Sequence, residues 1–383
     1  MMRMGSIRKS AAKKALAALF GSSLVLSGVA IMPVLAAGGA ENGYAEPSGL
    51  IASNLLIGAA HAGSRLVAVG EFGHIILSDD NGATWRQARA VPTRATLTSV
   101  YFVDASTGWA AGHDTTVLKT TDGGETWTLQ YDREISLLQP DPPPLAPPPV
   151  DSGVEDEFAE EDDGGLGSSA IMDAGAELYE MRPDTPVLTL VFADANTGVV
   201  AGAFGFAAIT NDGGATWDKR RLSSAVDDDY HLNGAFTGPN GSLFIAGEAG
   251  YIYRSLDKGA NWDLIATGYD GSLWGGMALS DGTLLAYGMR GNVWRSTDLG
   301  STWTKAETST PESLASGVEL ADGRIVMVGL GGTIIVSSDK GLTWSVTNRA
   351  DRKGLSAVLE AAPGQIAVFG EMGVAVQAAG SGS

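Results

Sequence analysis

The chain has no cysteine. Disulfides and thiolate metal sites are therefore excluded. Histidine is scarce, with four residues that form no cluster, so a zinc site has no support. Bases are outnumbered, 25 Lys and Arg against 44 Asp and Glu, for a net charge of −19. That balance disfavours nucleic acid and anionic membrane surfaces. No nucleotide-binding or Ser-His-Asp pattern occurs, and no cofactor is expected. The single long apolar run lies near the start, over residues 15–35, behind Arg3, Arg8, Lys9, Lys13 and Lys14. With Val34-Leu35-Ala36 as a small-residue cleavage site, residues 1–36 read as a secretory signal. No twin arginine is present, so the general secretory route is expected, and with it a periplasmic or secreted protein. Val29 stands where Leu26-Ser27-Gly28 would need a Cys for lipid attachment, so no lipid anchor is expected. An uncleaved membrane anchor is the other reading of the same run.

What the chain has in plenty is glycine, 52 residues, and a phrase repeated six times. Ser or Thr leads to Asp, then Gly, then Trp, as in Thr120-Thr121-Asp122-Gly123-Gly124-Glu125-Thr126-Trp127. The pairs are Asp80 and Trp85, Asp122 and Trp127, Asp212 and Trp217, Asp257 and Trp262, Asp298 and Trp303, Asp339 and Trp344. The aspartates step by 42, 90, 45, 41 and 41 residues, a period that marks a repeat architecture. Asp-Gly is turn chemistry, and the flanking apolar runs make each copy a hairpin. These Asp and Trp residues are read as structural.

A second repeat, Gly-x-x-Gly, occurs seven times counting Gly112-His113-Asp114-Thr115, where Thr replaces the last Gly. Seven units of four strand-like runs predict a single all-β, seven-bladed propeller. In unit two the runs are 97–103, 108–112, 116–121 and 126–132. The seventh unit lacks a fourth run. Residues 44–50 are expected to supply it, closing the ring from the N-terminus, because a bare sheet edge is a liability. Blades one and two then fill 37–132 and blades three to seven fill 187–383. The 90-residue step holds an insertion, residues 133–186, with 14 acidic and 2 basic residues and a proline run from Pro140 to Pro149. It is expected to be largely disordered. It reads as a solvating loop, or as a docking surface for a basic partner; its acids lack calcium-loop spacing.

Strand order puts the Asp turns on one face and the Gly-x-x-Gly turns, with the insertion, on the other. The residues between the paired glycines vary: Glu71, Phe72, His113, Asp114, Phe204, Glu248, Met289, Arg290, Leu330, Glu371 and Met372. Exposed Phe and Met beside acids suit a protein or peptide partner. The alternative is that they plug the top of the channel.

The stretch from Asp104 to Gly112 (Asp-x-x-x-x-Gly-Trp-Ala-x-Gly) followed by Thr120 to Trp127 resembles the photosystem II stability/assembly factor family. Those proteins are seven-bladed Asp-box propellers with bacterial relatives. The resemblance implies a non-catalytic assembly or stability factor that binds a membrane or envelope protein, such as a photosystem subunit or a transporter. The thylakoid lumen would be its place in a photosynthetic cell. It also implies an arginine-rich binding patch, whereas the central turns here carry only Arg290. A monomer is expected. The alternative is a secreted Asp-box glycoside hydrolase, with Asp114 and Glu71 or Glu248 as paired carboxylates. A sialidase would need an Arg-Ile-Pro motif, and the nearest phrase here is Arg324-Ile325-Val326.

Overall fold

The computed structural model describes residues 43–140, 142, 185–223 and 230–380. The reading of residues 1–36 as a signal falls outside them, as does most of the insertion. Seven antiparallel sheets follow one another along the chain, each with its strands in sequence order. Blade two is Leu97–Phe102, Gly108–Gly112, Val117–Thr120 and Thr128–Tyr131, within two residues of the runs read from the sequence. The other sheets open with Leu56–Ala62, Val187–Phe192, Leu232–Thr237, Leu273–Ala278, Leu314–Glu319 and Leu355–Ala362. These first strands line one central channel of 450 Å³, walled mostly by Gly, Ala, Ser and Thr. The propeller of seven blades is as expected.

Ring closure is not. Among the described residues the seventh sheet has three strands, Leu355–Ala362, Gln365–Gly370 and Gly373–Ala378. Residues 44–50 form no strand. Pro47 removes one amide there, and the remaining bonds run to blade one instead. The Ala45 amide donates to the Val91 carbonyl, and the Glu46 carbonyl accepts from His74 and Gln87. Among the described residues, side chains join the first and last blades. Leu56, Leu66 and Ile76 of blade one pack on Ala357, Leu359 and Phe369 of blade seven. Trp85 meets Phe369 edge to face at 5.7 Å. Such packing needs no shared strand, because apolar burial is non-directional.

The phrase around each Asp explains itself. The Asp122 carboxylate accepts from the Thr120 hydroxyl at 2.8 Å, the Thr126 amide at 2.9 Å and the Thr126 hydroxyl at 2.6 Å. The Thr120 hydroxyl accepts the Gly124 amide, and the Trp127 indole donates to the Gly124 carbonyl. The other five copies repeat the carboxylate bonds with Thr84, Thr216, Asn261, Thr302 and Thr343. Trp127 and Trp217 are buried and the other four rings are half-buried. Each ring wedges against the preceding blade: Trp127 joins Val69 and Leu77 of blade one, for example.

Cationic side chains then fasten blade to blade across the same face. Arg65 donates to the Gly123 carbonyl, Lys119 to Gly213, Arg254 to Leu299 and Arg295 to Lys340. Each acceptor lies in the Asp turn of the next blade. The described start of the insertion is a short helix, Arg133–Leu138, whose N-cap Asp132 accepts from the Ile135 amide. No helix among the described residues is long and apolar enough to cross a membrane.

Candidate functional site

The Gly-x-x-Gly turns join second to third strands, so they lie on the face opposite the Asp turns. The motif is a steric requirement of the linker between blades. A Cβ on Gly70 would sit 2.0 Å from the Leu55 carbonyl oxygen. At Gly73, with φ +70°, one would sit 2.2 Å from the Thr93 oxygen. The first is a close approach, and the second is also a left-handed position that glycine takes without strain. Blade two departs at Thr115, where the linker carries the insertion. There the Thr115 hydroxyl donates to the Thr185 carbonyl at 3.0 Å, so a hydrogen bond replaces the close backbone contact.

Between the glycines, the second residue is left-handed in six blades: Phe72, Asp114, Phe204, Ala249 and Arg290 have φ from 51° to 59°, and Gly331 has φ 61°. A bulky aromatic there costs about 1–2 kcal/mol of backbone strain. Phe72 nevertheless stays 59% exposed, edge-on to His74, and Phe204 stays 37% exposed against the His231 ring at 5.0 Å. Leu330 and Met372 are exposed on the same face. The tips stand between second and third strands, one strand outside the channel wall, so they surround the channel mouth and do not line it.

The polar tips divide. Glu71 accepts the Leu55 amide at 3.2 Å and Glu248 accepts the His231 amide at 3.0 Å. Both tie down the residue just before the first strand of their own blade. His113, Asp114, Arg290 and Glu371 are exposed, and Met289 is half-buried with its carbonyl accepting from Tyr269 and Asn292. Sequence reasoning missed the cations of the blade linkers. Arg94 reaches this face beside Glu46 and the Tyr44 carbonyl. Arg352 pairs with Glu312, beside Gly331 and Gly332 of a tip, with Lys353 exposed next to it. Linkers carry no repeat, so only their neighbours in space could have flagged them.

The opposite face is electrostatically spent. Threonine side-chain and amide hydrogen bonds hold the Asp298 and Asp339 carboxyls down at about 2, from an ordinary 3.8. Asp104, in the turn between first and second strands, is held at about 2 by the Ser106 hydroxyl and the amides of Ser106 and Thr107. Asp194 and Asp281 are likewise held at about 2, first by Lys258 and Lys340. Among the described residues, no group of three or more His, Asp and Glu could hold a metal ion.

Fold and faces together define an Asp-box seven-bladed propeller with one structural and one variable face. Residues 174–315, spanning blades three to five, match the family described as photosynthesis system II assembly factor YCF48. That match agrees with the family resemblance read from the sequence, while the stretches that carried it, Asp104–Gly112 and Thr120–Trp127, lie in blade two, outside the matched residues. Its fold is similar to YCF48 bound to a D1 peptide, at TM-score 0.57 and 15% identity over 86% of this chain and 93% of that one. It is similar to YCF48 from Cyanidioschyzon merolae, at 0.57 and 14% over 85% and 96%. The WD40 propeller domain of Doa1 matches at 0.55 and 13% over 88% and 95%. No curated protein matches the sequence.

Proposed function

We propose that this chain is a non-catalytic assembly or stability factor of the cell envelope, holding a segment of a membrane or envelope protein against the face of the variable tips. One observation carries the reading. Phe72 and Phe204 are bulky, left-handed and exposed at once. A fold bears such cost where the residue serves something outside it. The family match and the D1 peptide carried by one structurally similar propeller support a peptide-like ligand. A photosystem subunit is one candidate partner and a transporter another, reached in the periplasm or thylakoid lumen after export. The glycoside hydrolase reading is weakened because Glu71 and Glu248 are each bound to a backbone amide of their own blade. Replacing Phe72 and Phe204 with Ser should abolish partner capture and leave the propeller folded. Glycosidase activity lost on Asp114→Asn would overturn the proposal.

A further inference from the structure

Each of the seven first strands carries one extra residue at its second position, a bulge at the end of the channel nearest the tips. A bulge re-aims a side chain, and seven of them make a collar. Three members are polar and turn into the wall. The Thr98 hydroxyl donates to the Val187 carbonyl, the Asn233 amide to Leu273 and the Ser356 hydroxyl to Leu56, each across to the next blade. The other four, Ile57, Leu188, Trp274 and Ala315, are half-buried and line the lumen.

The layer beneath is polar. The Thr189 hydroxyl oxygen accepts the Ala235 amide at 2.7 Å, and the Ser316 oxygen accepts the Val358 amide at 3.3 Å. Each hydroxyl, its oxygen engaged by the wall, has a hydrogen left to give to the lumen. Ser99 adds a third hydroxyl at the same depth. Blades three and six stand as far apart as a ring of seven allows, so these donors converge from opposing sides. Gly58, Gly234 and Gly275 leave the rest of the layer bare. Among the described residues no Asp, Glu, Lys, Arg or His lines the cavity, in a chain of net charge −19. Its 450 Å³ falls within the range of small-molecule sites, about 300–1,000 Å³.

We propose that this cavity is a binding site for a neutral sugar unit. An ionised ligand would lose its hydration with no countercharge to meet it. A wholly apolar one would leave the hydroxyl hydrogens unpaired. An uncharged pyranose answers both demands. Its oxygens accept from Thr189, Ser316 and Ser99, and its apolar C–H face packs on the large amphipathic ring of Trp274. No carboxylate lines the cavity, so the sugar is held and not cleaved. The site is separate from the tips and stands independently of the partner they meet.

The test titrates the full chain calorimetrically with methyl glycosides of neutral hexoses and N-acetylhexosamines, and with biotinylated trisaccharides ending in each. Saturable binding is expected, with magnetisation passing from the protein chiefly to the C–H protons of one ring face. Trp274→Ala should weaken binding by about tenfold or more, and Trp274→Phe by much less. Ser99→Ala, which breaks no bond of the wall, should weaken it severalfold at an unchanged melting temperature. Binding of the methyl glycosides alone would assign the cavity to a free solute, and binding of the trisaccharides as well to the end of a glycan. No saturable binding by any sugar of the panel overturns the inference. So does equal affinity for an acyclic hexitol, for glucuronate or for glucosamine, or a folded Trp274→Ala variant that binds as the parent does. Replacing Phe72 and Phe204 with Ser should leave sugar binding intact, because the tips surround the mouth without lining it. Loss of sugar binding in that folded double variant would move the site out of the cavity and overturn the assignment.

Discussion

The two faces of this propeller, one with six Asp turns and one with seven Gly-x-x-Gly turns, draw on the same chemistry of Gly and carboxylate, yet they spend it differently. On the Asp-turn face every repeated carboxylate is consumed by its own loop, and cations such as Lys119 and Arg254 are consumed by the next blade. On the other face the glycines fix only the backbone, against the linkers. The two residues between them are left to differ, as Glu71-Phe72, Ala203-Phe204 and Met289-Arg290 show. Repetition therefore carries stability on one side and individuality on the other. An asymmetric ligand can be read only by the side that breaks the symmetry.

The largest expected effect lies on the repeated side. Trp127→Ala should destabilise by about 3–5 kcal/mol in urea unfolding, because a buried ring leaves a cavity between blades one and two. Partner capture at temperatures where the variant stays folded should be unchanged. Loss of capture in the folded variant would break the division between faces.

Acid should act on the same side. The folded values of the repeated aspartates are depressed, so their contribution is complete above the ordinary value of 3.8. It is lost as pH falls through the folded values, to about 2 for Asp298 and Asp339. The melting temperature should fall over that window, and Asp298→Asn combined with Asp339→Asn should flatten the fall. A profile unchanged by the double substitution would contradict the assignment.

The variable side should respond in the opposite sense. Phe72→Gly relieves a left-handed aromatic, so stability should hold or rise by about 1 kcal/mol even as capture is lost. A marked loss of stability would make Phe72 a structural residue and erase the contrast. Smallest of all, Lys119→Ala removes one part-exposed clasp on the Gly213 carbonyl and should cost about 1 kcal/mol or less in thermal unfolding.

Much of this was legible in the chain because repeats declare themselves. The blade count, the Asp and Trp roles and the opposition of the two turns all follow from period and turn chemistry. What escaped was what happens once. Residues 44–50 were expected to close the ring, but Pro47 and the hydrogen bonds offered by His74 and Gln87 draw them onto blade one. Glu71 and Glu248 look identical to free acids in sequence, and only the position of the Leu55 and His231 amides reveals them as braces. Arg94 and Arg352 arrive beside the tips through linkers that no motif marks.

The central claim is that the tips meet the partner and the Asp turns do not. The most direct measurement places a photo-crosslinking amino acid at single positions in the living cell, at Asp114, Arg290 and Met372 on one face and at Thr84, Thr126 and Ser301 on the other. Cross-links to one envelope protein from the first three sites and none from the last three are the predicted result. Cross-links from the Asp-turn sites alone, or equally from both faces, would contradict it.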